Sequence, residues 1–286
     1  MKNSLAAGIA ILWLAPVSAA SAADILVKAP TPTPTSAFGW SGAYIGVNGG
    51  YGGGDPRSTL SGDLDQGGGS GVVNSLFNLD SIHDNTVPLS NNKSGAFGGL
   101  QIGINWQPDP KWLIGIETDI QISAVKGSAT VTAPPGSPSS AVFSLSSNPG
   151  LPWFGTLRGR FGFLLTDQLL VFGTGGLAYG ETSASSVITD IGNGLSTGLP
   201  TVLTCNPAVV CLAGSQSRLS AGWAAGGGVE FAAWRNVTFK LEYLHIDLGP
   251  QNLTLTVQAP STGNGFAVEH FANSFDMVRA GVNYRF

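Results

Sequence analysis

Phe275-Asp-Met-Val-Arg-Ala-Gly-Val-Asn-Tyr-Arg-Phe286 closes the sequence and decides how the rest is read. Taken every second residue from the end, Phe286, Tyr284, Val282, Ala280 and Val278 form one apolar row. Arg285, Asn283, Gly281, Arg279 and Met277 form the other, mostly polar row. Strict alternation of this kind means an extended strand whose two faces meet different surroundings. A soluble sheet edge fits it. So does the closing strand of a transmembrane barrel, with aromatics at the membrane interface.

Composition narrows the choice. Charged residues are 10 % of the 286, against about 25 % in an ordinary soluble domain. Glycine accounts for 41 residues. No run after residue 23 is apolar enough for a spanning helix. Together these fit a membrane β-barrel, and fit a Gly-rich secreted sandwich less well. The net charge of −4, with no basic stripe to neutralise phosphates, argues against a nucleic-acid partner.

The first residues read as an export signal. Lys2 supplies the positive start, Leu5 to Val17 a short apolar core, and Ala20-Ser-Ala22 a small-residue cleavage site. The expected organisation is therefore a signal peptide at 1–22, a Pro/Thr-rich periplasmic linker at 23–39 and a barrel at 40–286. The linker contains Ala29-Pro-Thr-Pro-Thr-Pro-Thr35, which favours an extended, unpaired chain. Two cysteines remain, Cys205 and Cys211. Export permits a disulfide between them, with free thiols as the alternative, and two are too few for a zinc site.

Seven further segments repeat the alternation of the closing strand. They are 42–51, 95–106, 112–124, 153–164, 169–180, 219–231 and 237–246. In 112–124, Trp112, Ile114, Ile116, Ile120 and Ile122 oppose Glu117, Asp119, Gln121 and Ser123. In 237–246, Val237, Phe239, Leu241 and Tyr243 oppose Thr238, Lys240 and Glu242. Tilted strands of about ten residues cross the hydrocarbon core. Tight connections at 107–111, 166–168 and 233–236 alternate with long ones at 53–94, 125–151, 182–218 and 248–273. Short periplasmic turns and long extracellular loops produce that rhythm. The fold class is thus all-β: an eight-stranded antiparallel transmembrane β-barrel with both mature termini on the periplasmic side.

Charge fixes the parity. Glu117, Asp119, Arg158, Arg160, Glu230, Lys240, Glu242 and Arg279 all lie on the non-apolar rows. Facing lipid near the midplane, each base would cost about 2–4 kcal/mol, and each acid less. The sum rivals a whole protein's net stability of roughly 5–15 kcal/mol. All eight are therefore expected inside, Glu117 and Asp119 level with Arg158 and Arg160, Glu230 near Lys240, and Glu242 near Arg279. Eight strands leave an interior just wide enough for side chains, so a plugged lumen is expected rather than an open pore.

The segment Phe38-Gly-Trp-Ser-Gly-Ala-Tyr-Ile-Gly-Val-Asn-Gly-Gly-Tyr51 resembles the first strand of the small outer-membrane barrel proteins of alphaproteobacteria, the Brucella-type immunogenic porin-like family. Trp153 to Gly162 and Gly173-Thr-Gly-Gly-Leu-Ala-Tyr-Gly180 look like its middle hairpin. Gly222-Trp to Glu230, Lys240 to Gly249 and Val278 to Phe286 look like its last strands. The resemblance covers the strands, not the loops. It implies an outer-membrane location, a surface-antigen role and outer-membrane lipid as partner. It also implies recognition of the C-terminal Phe286 by the barrel assembly machinery. Some relatives are linked to haem or to weak porin activity.

The functional expectation is a structural and surface-interaction barrel, without catalytic residues, metal ligands or a cofactor. A small porin-like channel is the alternative, and a loop-mediated ligand (haem) receptor using His83, His245 and His270 is a second. An enzyme finds only His245 near Asp247, without a serine partner. Asp63 and Asp65 before Gly67-Gly-Gly69 lack the third ligand and closing Glu of a calcium loop. The oligomeric state is not specified by any of these features.

Overall fold

The computed structural model describes residues 38–54, 57–63, 86–90, 93–132, 143–192, 195–196, 204–262 and 266–286. The expected signal peptide and residues 23–37 of the expected linker lie outside them. Eight long strands form the wall: β1 (Gly42–Gly54), β2 (Lys93–Asp109), β3 (Trp112–Gly127), β4 (Phe143–Thr166), β5 (Leu169–Asp190), β6 (Val210–Trp234), β7 (Val237–Val257) and β8 (Phe266–Arg285). Each pairs antiparallel with the next. β8 pairs back onto β1, with Val47 opposite Val282 and Tyr51 opposite Val278. The ring is therefore closed, which removes the sheet edges a membrane cannot tolerate.

The tight turns lie at the expected end. Lys111 N–H donates to Asp109 Oδ1 at 2.9 Å, and Leu169 N–H to Thr166 Oγ1 at 3.1 Å. At the opposite end the strands run far beyond the expected bounds. Much of 125–151, 182–218 and 248–273, expected as loop, is strand. Arg57–Asp63 pairs with β8 and with Thr86–Ser90, which leads into β2. Ala129–Thr132 runs along β4. The 25 residues of β6, at about 3.3 Å each and tilted about 40°, rise roughly 60 Å, against an apolar band about 25 Å tall.

The physical reason for the difference is a reversal of hydrophobic parity partway up the wall. In the lower half the outward row is apolar: Ile102, Ile116, Leu241 and Val278 are all more than half exposed. Trp106, Trp112, Trp234 and Phe286 mark its lower edge, and Tyr51, Trp153, Trp223 and Tyr243 its upper edge. Above that upper edge the inward row becomes apolar. Leu145, Ile188, Leu212, Leu253, Leu255, Ala267 and Phe271 cluster inside with both cysteines. Ser185, Asn252, Thr254 and His270 face out. The upper barrel meets water outside and makes its own core inside, as a soluble barrel does.

A bulge performs this change on β7. Asp247 is opposite Ser274, but Pro250 is opposite Ala272, so β7 carries one extra residue there. Gly249 adopts φ +75°, a conformation that costs glycine little and other residues more. Its N–H donates to Asp247 Oδ1 at 2.8 Å. Inward positions are even-numbered below it (Lys240, Glu242, Leu244) and odd-numbered above it (Gln251, Leu253, Leu255).

Cys205 and Cys211 form a disulfide, both buried in the upper apolar cluster. They are 6 positions apart in sequence, so the loop closed is short and its entropic contribution small. Cys205→Ser with Cys211→Ser is expected to lower unfolding stability by no more than about 2 kcal/mol. A urea titration of the detergent-folded barrel, with and without the pair, measures this.

Candidate functional site

The structure brings all eight expected charged residues into one layer of the lumen, each 4 % exposed or less. They come from β3, β4, β6, β7 and β8. The pleat explains why they share a face. Glu117 and Asp119 are two apart on β3, as are Arg158 and Arg160 on β4 and Lys240 and Glu242 on β7. Room for them comes from glycine and from strand pairing. A Cβ on Gly103 would lie 2.4 Å from the Tyr44 ring, which enters this layer.

Glu117 is the hub. Its Oε1 accepts from Arg158 Nη2 at 2.6 Å and from Arg279 Nη2 at 3.2 Å. Its Oε2 accepts from Lys240 Nζ at 2.7 Å and from the Tyr44 hydroxyl at 2.6 Å. Glu242 accepts from Arg158 Nη1 at 2.7 Å and from Arg279 Nε at 2.6 Å. Asp119 Oδ2 accepts from Arg158 Nη2 and Arg279 Nη1, both at 3.0 Å, and from Thr156 at 2.8 Å. Glu230 pairs with Arg160 and also accepts from Asn283 Nδ2 at 3.0 Å. The counts are four carboxylates and four cations in contact. Charged hydrogen bonds of this kind are short and strong.

The pairing differs from the strand-neighbour expectation in two places. Arg160 pairs with Glu230, not with Glu117 or Asp119. Lys240 pairs with Glu117, and at 3.6 Å with Glu242, although Glu230 is directly opposite it in register. In a lumen this narrow, long side chains meet across the barrel as readily as along the wall. Tyr44 was not anticipated, although it lies on the same inward row of β1 as Asn48.

Apolar layers bound the charges on both sides. Below, Trp40 is fully buried against Leu113, Leu164, Leu170, Phe172 and Ala232. Its Nε1 donates to Asp167 O at 3.0 Å, and its carbonyl accepts from Arg285. Trp40 therefore corks the turn end instead of only preceding the first strand. Above the charges, Phe97, Phe154, Leu244, Phe275 and Met277 fill the lumen. The upper apolar cluster lies beyond them.

The other candidates are placed elsewhere. The His245 ring Nδ1 is 2.8 Å from Asp276 Oδ1, which also accepts from the Tyr243 hydroxyl at 2.6 Å. Asp247, its expected partner, caps Gly249 instead. The three groups face outward at the upper aromatic edge, where Trp223 lies 5.2 Å from the His245 ring. His270 also lies on a strand and not a loop, its Nδ1 2.8 Å from Asn252 Oδ1. His83 and Asp65 lie outside the described residues. Among the described residues no group of three or more His, Cys, Asp or Glu side chains has metal-holding geometry. Phe286 is exposed, its ring 5.4 Å from Tyr284 and its N–H donating to Ala43 O at 3.1 Å.

Residues 10–286 match the family model described as outer membrane protein beta-barrel domain. The chain is 35 % identical to the 31 kDa outer-membrane immunogenic protein of Brucella melitensis, over 100 % of both chains. It is 25 % identical to a 22 kDa outer membrane protein of Rhizobium leguminosarum, over 59 % of this chain and 60 % of that one. Among solved structures, OprG of Pseudomonas aeruginosa is similar with TM-score 0.45 and 15 % identity, covering 86 % of this chain and 97 % of that one.

Proposed function

Because the chain belongs to the outer-membrane β-barrel protein family, we propose that it serves the bacterial outer membrane as a sealed, structural, surface-presenting barrel. Its outer-membrane location and antigen-like surface role follow from that membership. The sealed lumen is carried by one observation: the charged layer is closed below by Trp40 and above by two apolar clusters. An ion would have to displace balanced ion pairs and cross both apolar layers, where its desolvation costs several kcal/mol. Planar-bilayer recording of the purified barrel tests this. No conductance steps are expected at high protein loading. Reproducible steps would support the porin-like alternative.

The same reading assigns the remaining parts of the chain. The tight turns and both mature ends face the periplasm, with residues 1–22 removed on export and 23–39 as a tether. Outer-membrane lipid covers the lower outward row. The chemistry of the charged layer is ion pairing, and its carboxylates hold no water-accessible reactive group, which supports a non-enzymatic role. Phe286 serves as the signal read by the barrel assembly machinery. Its side chain packs only at the edge of the wall, so the finished fold loses little without it. Deleting Phe286 is expected to reduce the folded, heat-modifiable form in cells several-fold, while protein refolded in detergent keeps its wild-type urea midpoint. Normal insertion at native expression would remove this assignment.

A further inference from the structure

One cation above the charged layer is buried without a carboxylate. Lys93 is 7 % exposed, and its Nζ donates to Asn273 Oδ1 at 3.0 Å. That leaves about two of its three N–H donors without a protein acceptor. Among the described residues it makes no ion pair. Glu269, the acid nearest in charge effect, acts on Lys93 only from a distance and makes no ion pair with it. Its oxygens accept instead from the hydroxyls of Ser58 at 3.0 Å, Ser147 at 2.8 Å and Ser186 at 2.5 Å. The layer beneath sets four acids against four bases, with Arg285 buried below it as a further base, and has no negative charge to spare. A buried ammonium in such a place is costly unless something pairs with it.

A small cavity adjoins it. Its volume is about 10 Å³, and Lys93, Thr182, Leu248, Asn273 and Phe275 are among its walls. That leaves room for one small species. The wall beside it is also unusual. β6 and β7 pair at Ala213 with Thr256 and at Trp223 with Asp247, and not between. A side-chain bond bridges this seam, from Gln251 Nε2 to Gln216 Oε1 at 3.4 Å. Ser215 to Leu219 are exposed at every position along it. Thr182 of the cavity is opposite Arg218 in register. Arg218 is exposed and makes no ion pair among the described residues. The seam thus has an unpaired cation at its outer lip and another at its inner end, an arrangement that favours entry of anions.

We propose that the cavity at Lys93 binds one small monovalent anion of about chloride size, entering through the seam between β6 and β7. The anion accepts the free N–H donors of Lys93 and pairs with a buried ammonium that makes no ion pair among the described residues. Crystals of the full barrel grown in sodium gluconate and soaked in sodium bromide test this directly. One anomalous bromide peak in contact with Lys93 Nζ is expected, and none in Lys93→Met. A solution measurement does not depend on crystals. At constant ionic strength, the wild-type thermal midpoint should rise saturably as chloride replaces gluconate, and Arg218→Gln should bind with the same end point but load more slowly. If Lys93→Met does not fold, the wild-type bromide result still decides. Water alone beside Lys93 in bromide-soaked wild type, with midpoints equal in chloride and gluconate, would overturn the proposal.

Discussion

Replacing Glu117 by leucine is expected to be the most damaging single change in the lumen, costing about 3–5 kcal/mol. Glu117 touches Arg158, Lys240 and Arg279 and takes the Tyr44 hydroxyl. Its loss leaves three buried cations sharing two remaining carboxylates, Asp119 and Glu242. The cost is that of uncompensated buried charge, not the net worth of the pairs. This gives the prediction a second part. Glu117→Gln with Lys240→Gln restores the balance of charge and should recover much of the loss seen in Glu117→Gln alone, a positive coupling. Urea unfolding in detergent micelles, followed by gel migration, reads both. Equal stabilities for wild type and Glu117→Leu would mean that the layer is hydrated and contributes little.

The second large effect concerns the outer wall. Ile116→Arg is expected to cost about 2–4 kcal/mol and to depress membrane insertion, because Ile116 sits outward within the apolar band. The same substitution at Thr254, which also faces out but on the upper half of β7, should cost less than about 0.5 kcal/mol, as a surface change in water does. Leu255→Arg, one residue further and inward in the upper apolar cluster, should again be severe. The three together separate a membrane barrel with reversed parity from a barrel that is lipid-facing along its whole height. They are compared by the folded fraction recovered from membranes and by urea midpoints.

The lower half of the barrel was legible in the sequence because lipid demands an apolar outward row. Ile114, Ile116, Ile120 and Ile122 can alternate with Glu117, Asp119 and Gln121 only in a strand with two such faces. The upper half was not legible, for two physical reasons. Its outward row is Ser, Thr and Asn, residues that also make loops, so segments such as 182–190 carry no lipid-facing signal. Its bulges also break the period, as at Leu248–Gly249, so a strand continued across them changes face. The members of the charged layer were readable from parity. Partners on neighbouring strands followed too, Arg158 with Glu117 and Asp119 and Arg279 with Glu242. Those that reach across the lumen, Lys240 to Glu117 and Arg158 to Glu242, did not, because sequence spacing says nothing there. Tyr44 and Trp40 were visible only as aromatics near a strand. The inward row that Tyr44 shares with Asn48 was the one available clue, while nothing local marks Trp40 as a cork.

The reversal of parity on β7 is where this account is most exposed to test. Single cysteines at Phe239, Leu241, Asn252 and Thr254, in a Cys205→Ser, Cys211→Ser background, would be labelled on intact cells with a membrane-impermeant maleimide. Asn252 and Thr254 should label rapidly, standing in water above the membrane. Phe239 and Leu241 should label only after the barrel is denatured, since lipid covers them. Protection at Asn252 and Thr254, or ready labelling at Phe239 and Leu241, would contradict it.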